Sequence, residues 1–257
     1  MKRGIGKLAD KWRITLTGDF NDLANLAKTC KAPEFSVVER SGEMVLESSD
    51  FNDTDTRDTI SEKAARIVSQ LNGACRLALS SLTPLNFTVH KLRKDGVRES
   101  FVGGKFEALA RMTCTVRVAN PDGTFREITD ADPIPSWVSL ARSDAKVAAI
   151  LKQLNVGDWS SWVNLYRMLE IVESDQGGGK MGRQAIAAHG WATDDDLKRF
   201  RYTANSVKEL AEQARHGDES ATHPPNPTPI PMSHSEARLL VERILHHWLR
   251  AKGSSKP

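Results

Sequence analysis

Apolar residues in the first half of the chain recur at two spacings; in the second half they recur at only one. Trp12-Arg13-Ile14-Thr15-Leu16 alternates with period two, the mark of a half-buried strand. Gly18-Asp19 then opens a short helix from Asn21 to Cys30, with Leu23, Leu26 and Ala27 on one face. Phe35 to Arg40 and Met44 to Glu47 are β-prone runs parted by Ser41-Gly42, which predicts a hairpin. Ile60, Ala64, Ile67, Leu71, Cys75 and Ala78 follow at three- and four-residue steps, and Thr59 with Glu62 has the spacing of a capping box. Phe87-Thr88-Val89-His90, Phe101-Val102, Phe106 to Ala110 and Met112 to Val118 return to strand pattern. Asn120-Pro121-Asp122-Gly123 before Phe125 is a turn signal.

Beyond Asp132-Pro133-Ile134-Pro135 only the helical period remains. Two prolines so close together predict a stiff connection, excluded from helix and sheet interiors alike. Val147, Leu151 and Leu154 mark one helix. Asp158 is expected to cap a second with the stripe Trp159, Trp162, Val163, Tyr166 and Leu169. Gly177-Gly178-Gly179 predicts a flexible link, and Gln184 to His189 a short helix. Thr193 with Asp196 caps a helix carrying Leu197, Phe200, Ala204, Val207, Ala211 and Ala214. Pro224 to Pro231 predicts an extended bridge. Ser233 with Glu236 caps a last helix lined by Ala237, Leu240, Val241, Ile244 and Trp248. Helices with one stripe each shield those stripes by packing on one another.

The predicted fold class is therefore α+β. Residues 1–132 form a small, mostly antiparallel sheet with one long helix across it, and residues 136–257 an all-α helical bundle. Five of the six tryptophans lie from Trp137 onward, which suits a compact bundle core.

Composition narrows the function classes more than it names one. The 257 residues carry a formal net charge of +3, with 39% hydrophobic and 27% charged residues, an ordinary globular balance that excludes a disordered or collagen-like chain. No apolar run is long enough for a membrane span. The basic start, Met1-Lys2-Arg3-Gly4-Ile5-Gly6-Lys7, runs straight into Asp10, Lys11 and Arg13 without an apolar region, so a cytoplasmic protein without a secretory leader is expected. Basic and acidic residues are evenly mixed, without the basic stripe of a dedicated nucleic-acid binder. Cys30, Cys75 and Cys114 are odd in number and widely spaced, which argues against a disulfide framework or a cysteine zinc site.

Motifs for nucleotide or metal chemistry do not assemble. Gly177-Gly178-Gly179-Lys180 misses the phosphate-loop spacing at Ser174 and at Met181 and follows a helix, while Gly103-Gly104-Lys105 reads as a hairpin turn. Five of the seven histidines fall at or beyond His216 (with His223, His234, His246 and His247), but adjacent His246 and His247 diverge on a helix and no H-E-x-x-H spacing exists. No metal and no cofactor are expected. Asp194-Asp195-Asp196 sits where a helix N-terminus favours negative charge.

One constellation carries chemistry. Arg199-Phe200-Arg201-Tyr202-Thr203-Ala204-Asn205 leads to Ala214-Arg215-His216-Gly217. A guanidinium can hold a phosphodiester, and a neighbouring imidazole can move a proton near neutral pH. RNA brings its own nucleophile in the 2′-hydroxyl, so such a pair needs no metal. The same residues also suit a plain helix end: Arg215 and His216 complement the dipole and Gly217 is an ordinary cap.

The run from Tyr202 through Asn205 to Arg215-His216-Gly217, followed by another amphipathic helix, resembles the HEPN family of helical nucleotide-binding domains. The resemblance covers the C-terminal half only. It implies a helical bundle, a role directed at RNA in defence or stress response, metal-independent ribonuclease activity or descent from it, and a homodimer in which each subunit lends an Arg and a His to one cleft. Arg215 would then bind phosphate, His216 act as general acid or base and Asn205 orient one of them, with Arg199 and Arg201 binding RNA. The family signature separates its Arg and His by several residues, whereas Arg215 and His216 are adjacent. The alternative is a non-enzymatic interaction module or structural subunit, whose bundle packs on a protein partner while Arg215 only caps a helix.

Overall fold

The computed structural model describes residues 11–52, 54–81, 83–92, 98–101, 116–119, 125–128, 132–206 and 229–254. The chain is α+β and divides into two compact units, residues 1–139 and 140–257.

The first unit opens with β1 (Lys11–Thr17), α1 (Phe20–Thr29), β2 (Phe35–Arg40), β3 (Glu43–Ser48), α2 (Arg57–Leu79) and β4 (Asn86–Leu92). These elements build an antiparallel sheet in the order β2-β3-β1-β4, extended by β5 (Arg98–Phe101) beyond β4. A β-α-β-β-α-β chain in this order is the ferredoxin-like, split β-α-β topology. A second ladder pairs β6 (Val116–Ala119) with β7 (Phe125–Ile128). The predicted run Phe106 to Ala110, the turn at Asn120-Pro121-Asp122-Gly123, Gly103-Gly104-Lys105 and Cys114 lie outside the described residues.

Register follows from side-chain alternation. Ile14 sits opposite Leu46 and Val89, and Val37 opposite Leu46, which places these apolar residues on one face. All four are buried, as are Leu23 and Leu26 of α1 and Ile60, Ala64, Ile67, Leu71 and Cys75 of α2. Both predicted helices, the short α1 and the long α2, accompany the sheet, α1 adjoining β2 and α2 adjoining β4. Local chemistry sets their limits. The Asp19 carboxylate accepts from the amides of Asn21 and Asp22 at 2.9 and 3.1 Å and starts α1. The cap of α2 is Thr56, whose hydroxyl accepts from the Thr59 amide at 3.2 Å, so Thr59 stands inside the helix rather than capping it. The hairpin turn at Ser41-Gly42 has both residues at positive φ (55° and 80°), the backbone of a type I′ turn. Asn72 ties α2 to the approach of β4, its amide accepting from Leu85 N at 2.6 Å and donating to Leu85 O at 3.1 Å.

Pro135 lies in the first turn of a helix and not in a free connection, and the two units divide a few residues further on, between Ser139 and Leu140. Ile134 and Pro135 form the first turn of α3 (Ile134–Ala141), where a missing N–H costs nothing because no carbonyl of that helix awaits it.

In the second unit α4 (Ala145–Leu154), α5 (Trp162–Asp175), α6 (Gly179–Ala188), α7 (Asp194–Asn205) and α8 (His234–Ser254) are all helical. α5 is the hub: α4, α6, α7 and α8 each pack against it. It buries Trp162, Leu165, Tyr166, Met168, Leu169 and Val172, an arc wide enough for several partners. Ser161 caps α5, its hydroxyl accepting from Asn164 N at 3.4 Å, so Asp158 and Trp159 precede the helix. Gly177 and Gly178 make a tight turn at positive φ (111° and 77°), and α6 begins at Gly179, well before Gln184. Thr193 and Asp196 form the predicted capping box of α7, and Ser233 with Glu236 holds the start of α8. None of the described helices is long and apolar enough to cross a membrane.

Candidate functional site

The candidate site is the C-terminal end of α7. Leu197, Phe200, Thr203 and Ala204 face inward along this helix, which turns Arg199, Arg201 and Tyr202 to its flanks. Arg215 and His216 lie outside the described residues, as do Val207, Ala211, Ala214 and His223.

Arg201 points back into the unit. Its Nη1 donates to both oxygens of Glu173, at 2.8 and 2.9 Å, and its guanidinium lies 5.1 Å from the centre of the Tyr166 ring. The Glu173 side chain is only 4% exposed, and Arg183 adds a second cation at 3.7 Å. Burial pushes the Glu173 carboxyl above its usual range, more than the two guanidiniums pull it down. The backbone of α5 is hemmed in at the same residue: a Cβ on Gly182 would stand 2.2 Å from Glu173 O. Glycine is what lets α6 come this close to α5.

Arg199 is also engaged within the fold. Its Nε donates to Ile230 O at 3.0 Å, and its Nη2 reaches Pro231 O and Glu236 Oε1, both at 3.5 Å. One turn on, the Thr203 hydroxyl donates to Arg199 O at 2.9 Å and accepts from Met232 N at 2.8 Å. The chain that leaves α7 at Ser206 thus returns to α7 by Met232. The Ser233 amide and hydroxyl donate to Glu236 at 2.7 and 2.6 Å, which holds that carboxyl below its usual range.

Asn205 closes the helix. Its Oδ1 is buried and has no hydrogen-bond partner among the described residues. A buried amide oxygen without a donor is unfavourable by about 1–3 kcal/mol.

A second polar cluster lies elsewhere in this unit. Lys252 Nζ donates to Asp144 Oδ2 at 2.6 Å and to Asp175 Oδ1 at 2.9 Å, while Trp248 Nε1 donates to Asp175 Oδ2 at 2.8 Å. Burial raises both carboxyls, but the ammonium and the N–H donors outweigh it and leave both below their ordinary values. Every charge in this cluster has a partner, so it reads as a fastening of α8 to the start of α4 and the end of α5. Among the described residues no group of three or more His, Cys, Asp or Glu is placed to hold a metal. His234 Nε2 lies 2.6 Å from Ser160 O, and the ring of His189 stacks on Trp191 at 4.8 Å.

Of the five residues expected to form the site, the structure places three. Arg199 and Arg201 are held by partners within their own unit, and Asn205 alone presents an unanswered polar atom. Sequence reasoning passed over Glu173, and read Glu236 only as a helix cap and Thr203 only as part of the Arg199–Asn205 run, not as residues that hold the arginines and the returning chain. For Glu173 a signal existed: a carboxylate stands on the stripe Trp162, Leu165, Leu169 and Val172, where an apolar residue would fit. Comparison of the chain with protein-family models, curated proteins and solved structures finds no match.

Proposed function

We propose that the second unit is a HEPN-like helical domain that acts on RNA from the end of α7, as a metal-independent ribonuclease. The observation that supports this reading is the buried, unanswered Oδ1 of Asn205, at the point where the chain departs toward Arg215 and His216. Arg215 would neutralise the scissile phosphate and His216 would accept the 2′-hydroxyl proton. The 2′-oxygen then bonds to phosphorus, the bond from phosphorus to the 5′-oxygen breaks, and a protonated imidazole supplies the leaving oxygen's proton. A second copy of the chain would provide the second imidazole. Arg199 and Arg201 would contribute to RNA binding only in competition with the bonds they make to Ile230, Pro231, Glu236 and Glu173.

The test is cleavage of single-stranded and hairpin RNA by the full chain in the presence of a chelator. The expected result is products ending in a cyclic phosphate, with Arg215→Ala and His216→Ala each slower by about a hundredfold or more and Asn205→Ala slower to a lesser degree. Equal cleavage by the parent chain and both variants, or none by the parent, refutes the assignment.

The enclosure of Arg199 and Arg201 favours a second reading, a non-enzymatic interaction module. It commits donors of both guanidiniums to acceptors of their own unit, which weakens them as phosphate contacts. Ile230 and Leu239 are exposed apolar residues of the same unit. A chain inert toward RNA that forms a stable complex with a protein partner through these residues supports this alternative.

A further inference from the structure

The stretch Ile230 to Ser233 is attached in an unusual way. Among the described residues no backbone–backbone hydrogen bond fixes Ile230, Pro231 or Met232. Side chains hold them instead. Arg199 takes the carbonyls of Ile230 and Pro231, Thr203 takes the amide of Met232, and Glu236 takes the amide of Ser233. Proline at 229 and 231 keeps the stretch extended and removes its own donors. Ile230, Pro231 and Ser233 are exposed, and only Met232 is buried, at 5% exposure. α5, by contrast, is held by its own helical ladder and buried on most of its surface.

We propose that Arg199 and Thr203 form a releasable clasp: residues 230–232 detach from α7 as a unit, while the helices around α5 stay folded and Ser233 keeps its place as the cap of α8. Sub-global openings of this kind arise where few apolar contacts and few regular hydrogen bonds secure a segment. Release uncovers the socket of Met232 and returns the Arg199 guanidinium and the Thr203 hydroxyl to solvent. Arg199 is then able to hold an anion only in the opened form. The inference stands apart from the RNA reading, since it concerns the attachment of the strap and not any reaction.

Hydrogen exchange on the full chain tests it, read at the amide of Met232, the strap amide bonded to α7, against those of Leu165 to Val172. In the unaltered protein the Met232 amide is expected to exchange at least about a hundredfold faster than the α5 amides, relative to their intrinsic rates. Thr203→Val removes the acceptor of the Met232 amide at nearly constant volume. This variant should speed the strap a further tenfold or so while leaving α5 unchanged. Arg199→Lys, which keeps the charge but loses the fork between two carbonyls, should act in the same direction. A Met232 amide as slow as those of α5 in the unaltered protein overturns the proposal. So does a Thr203→Val variant in which both regions accelerate together.

Discussion

Replacing Arg201 separates the two roles available to it, phosphate ligand and internal partner of Glu173. In Arg201→Ala the buried carboxylate loses two hydrogen bonds of 2.8 and 2.9 Å and keeps only Arg183 at 3.7 Å. Removing one partner of a buried pair destabilises by about 3–5 kcal/mol. The Arg201 side chain is 28% exposed, so water reaches it, and Arg183 remains; both facts move the figure toward the lower end. Loss of the contact with Tyr166 adds roughly 0.5–1 kcal/mol. The expected cost is about 3 kcal/mol. Urea unfolding followed by tryptophan fluorescence measures it, because Trp159, Trp162, Trp191 and Trp248 all lie in the second unit. Arg201→Met keeps most of the aliphatic stem and should recover only the packing part of the loss. A change below about 0.5 kcal/mol in Arg201→Ala, combined with a clear loss of RNA affinity, would show that the guanidinium serves RNA and would refute the internal assignment.

Three further outcomes follow from other parts of the structure. Gly182→Ala places a methyl 2.2 Å from Glu173 O, so α5 and α6 must part, and the variant should lose about 1–3 kcal/mol by the same unfolding measurement. In Lys252→Met the pH dependence of stability should flatten at both ends. Asp144 and Asp175 have depressed pKa values, so their contribution is present above the ordinary carboxylate pKa and is lost as pH falls through the folded values. Burial lowers the pKa of Lys252, but Asp144 and Asp175 outweigh it and raise it, so its contribution is lost as pH rises through that raised value. Denaturation midpoints across the pH range check both signs. Cys30 is buried with its thiol pushed up to about 12, so iodoacetamide at pH 8 should spare it in the native chain and label it only after unfolding, as read by mass spectrometry.

Much of the architecture was legible along the chain. Period-two alternation marked β1, β-prone runs marked β2, β3 and β4, and the dyad Ser41-Gly42 marked the β2-β3 hairpin, because backbone sterics act within a few residues. The capping box at Thr193 and Asp196 was legible for the same reason: donor and acceptor are three residues apart. The start of α5 was not. Asp158 and Ser161 are both competent caps, and the burial of Trp162 selects the second.

The candidate site shows the other limit. Composition and spacing singled out Arg199 and Arg201 as cations able to meet a phosphate, and no local rule says otherwise. Their actual partners, Glu173 and the carbonyls of Ile230 and Pro231, lie 28 to 32 residues away in the chain. The identity and limits of most elements can be read along the chain, since caps, turns and amphipathic period depend on near neighbours. The strand order β2-β3-β1-β4 and the partners of Arg199 and Arg201 come from the packed fold. A guanidinium settles on the acceptors that packing sets beside it, and the packing around α5 sets Glu173 beside Arg201.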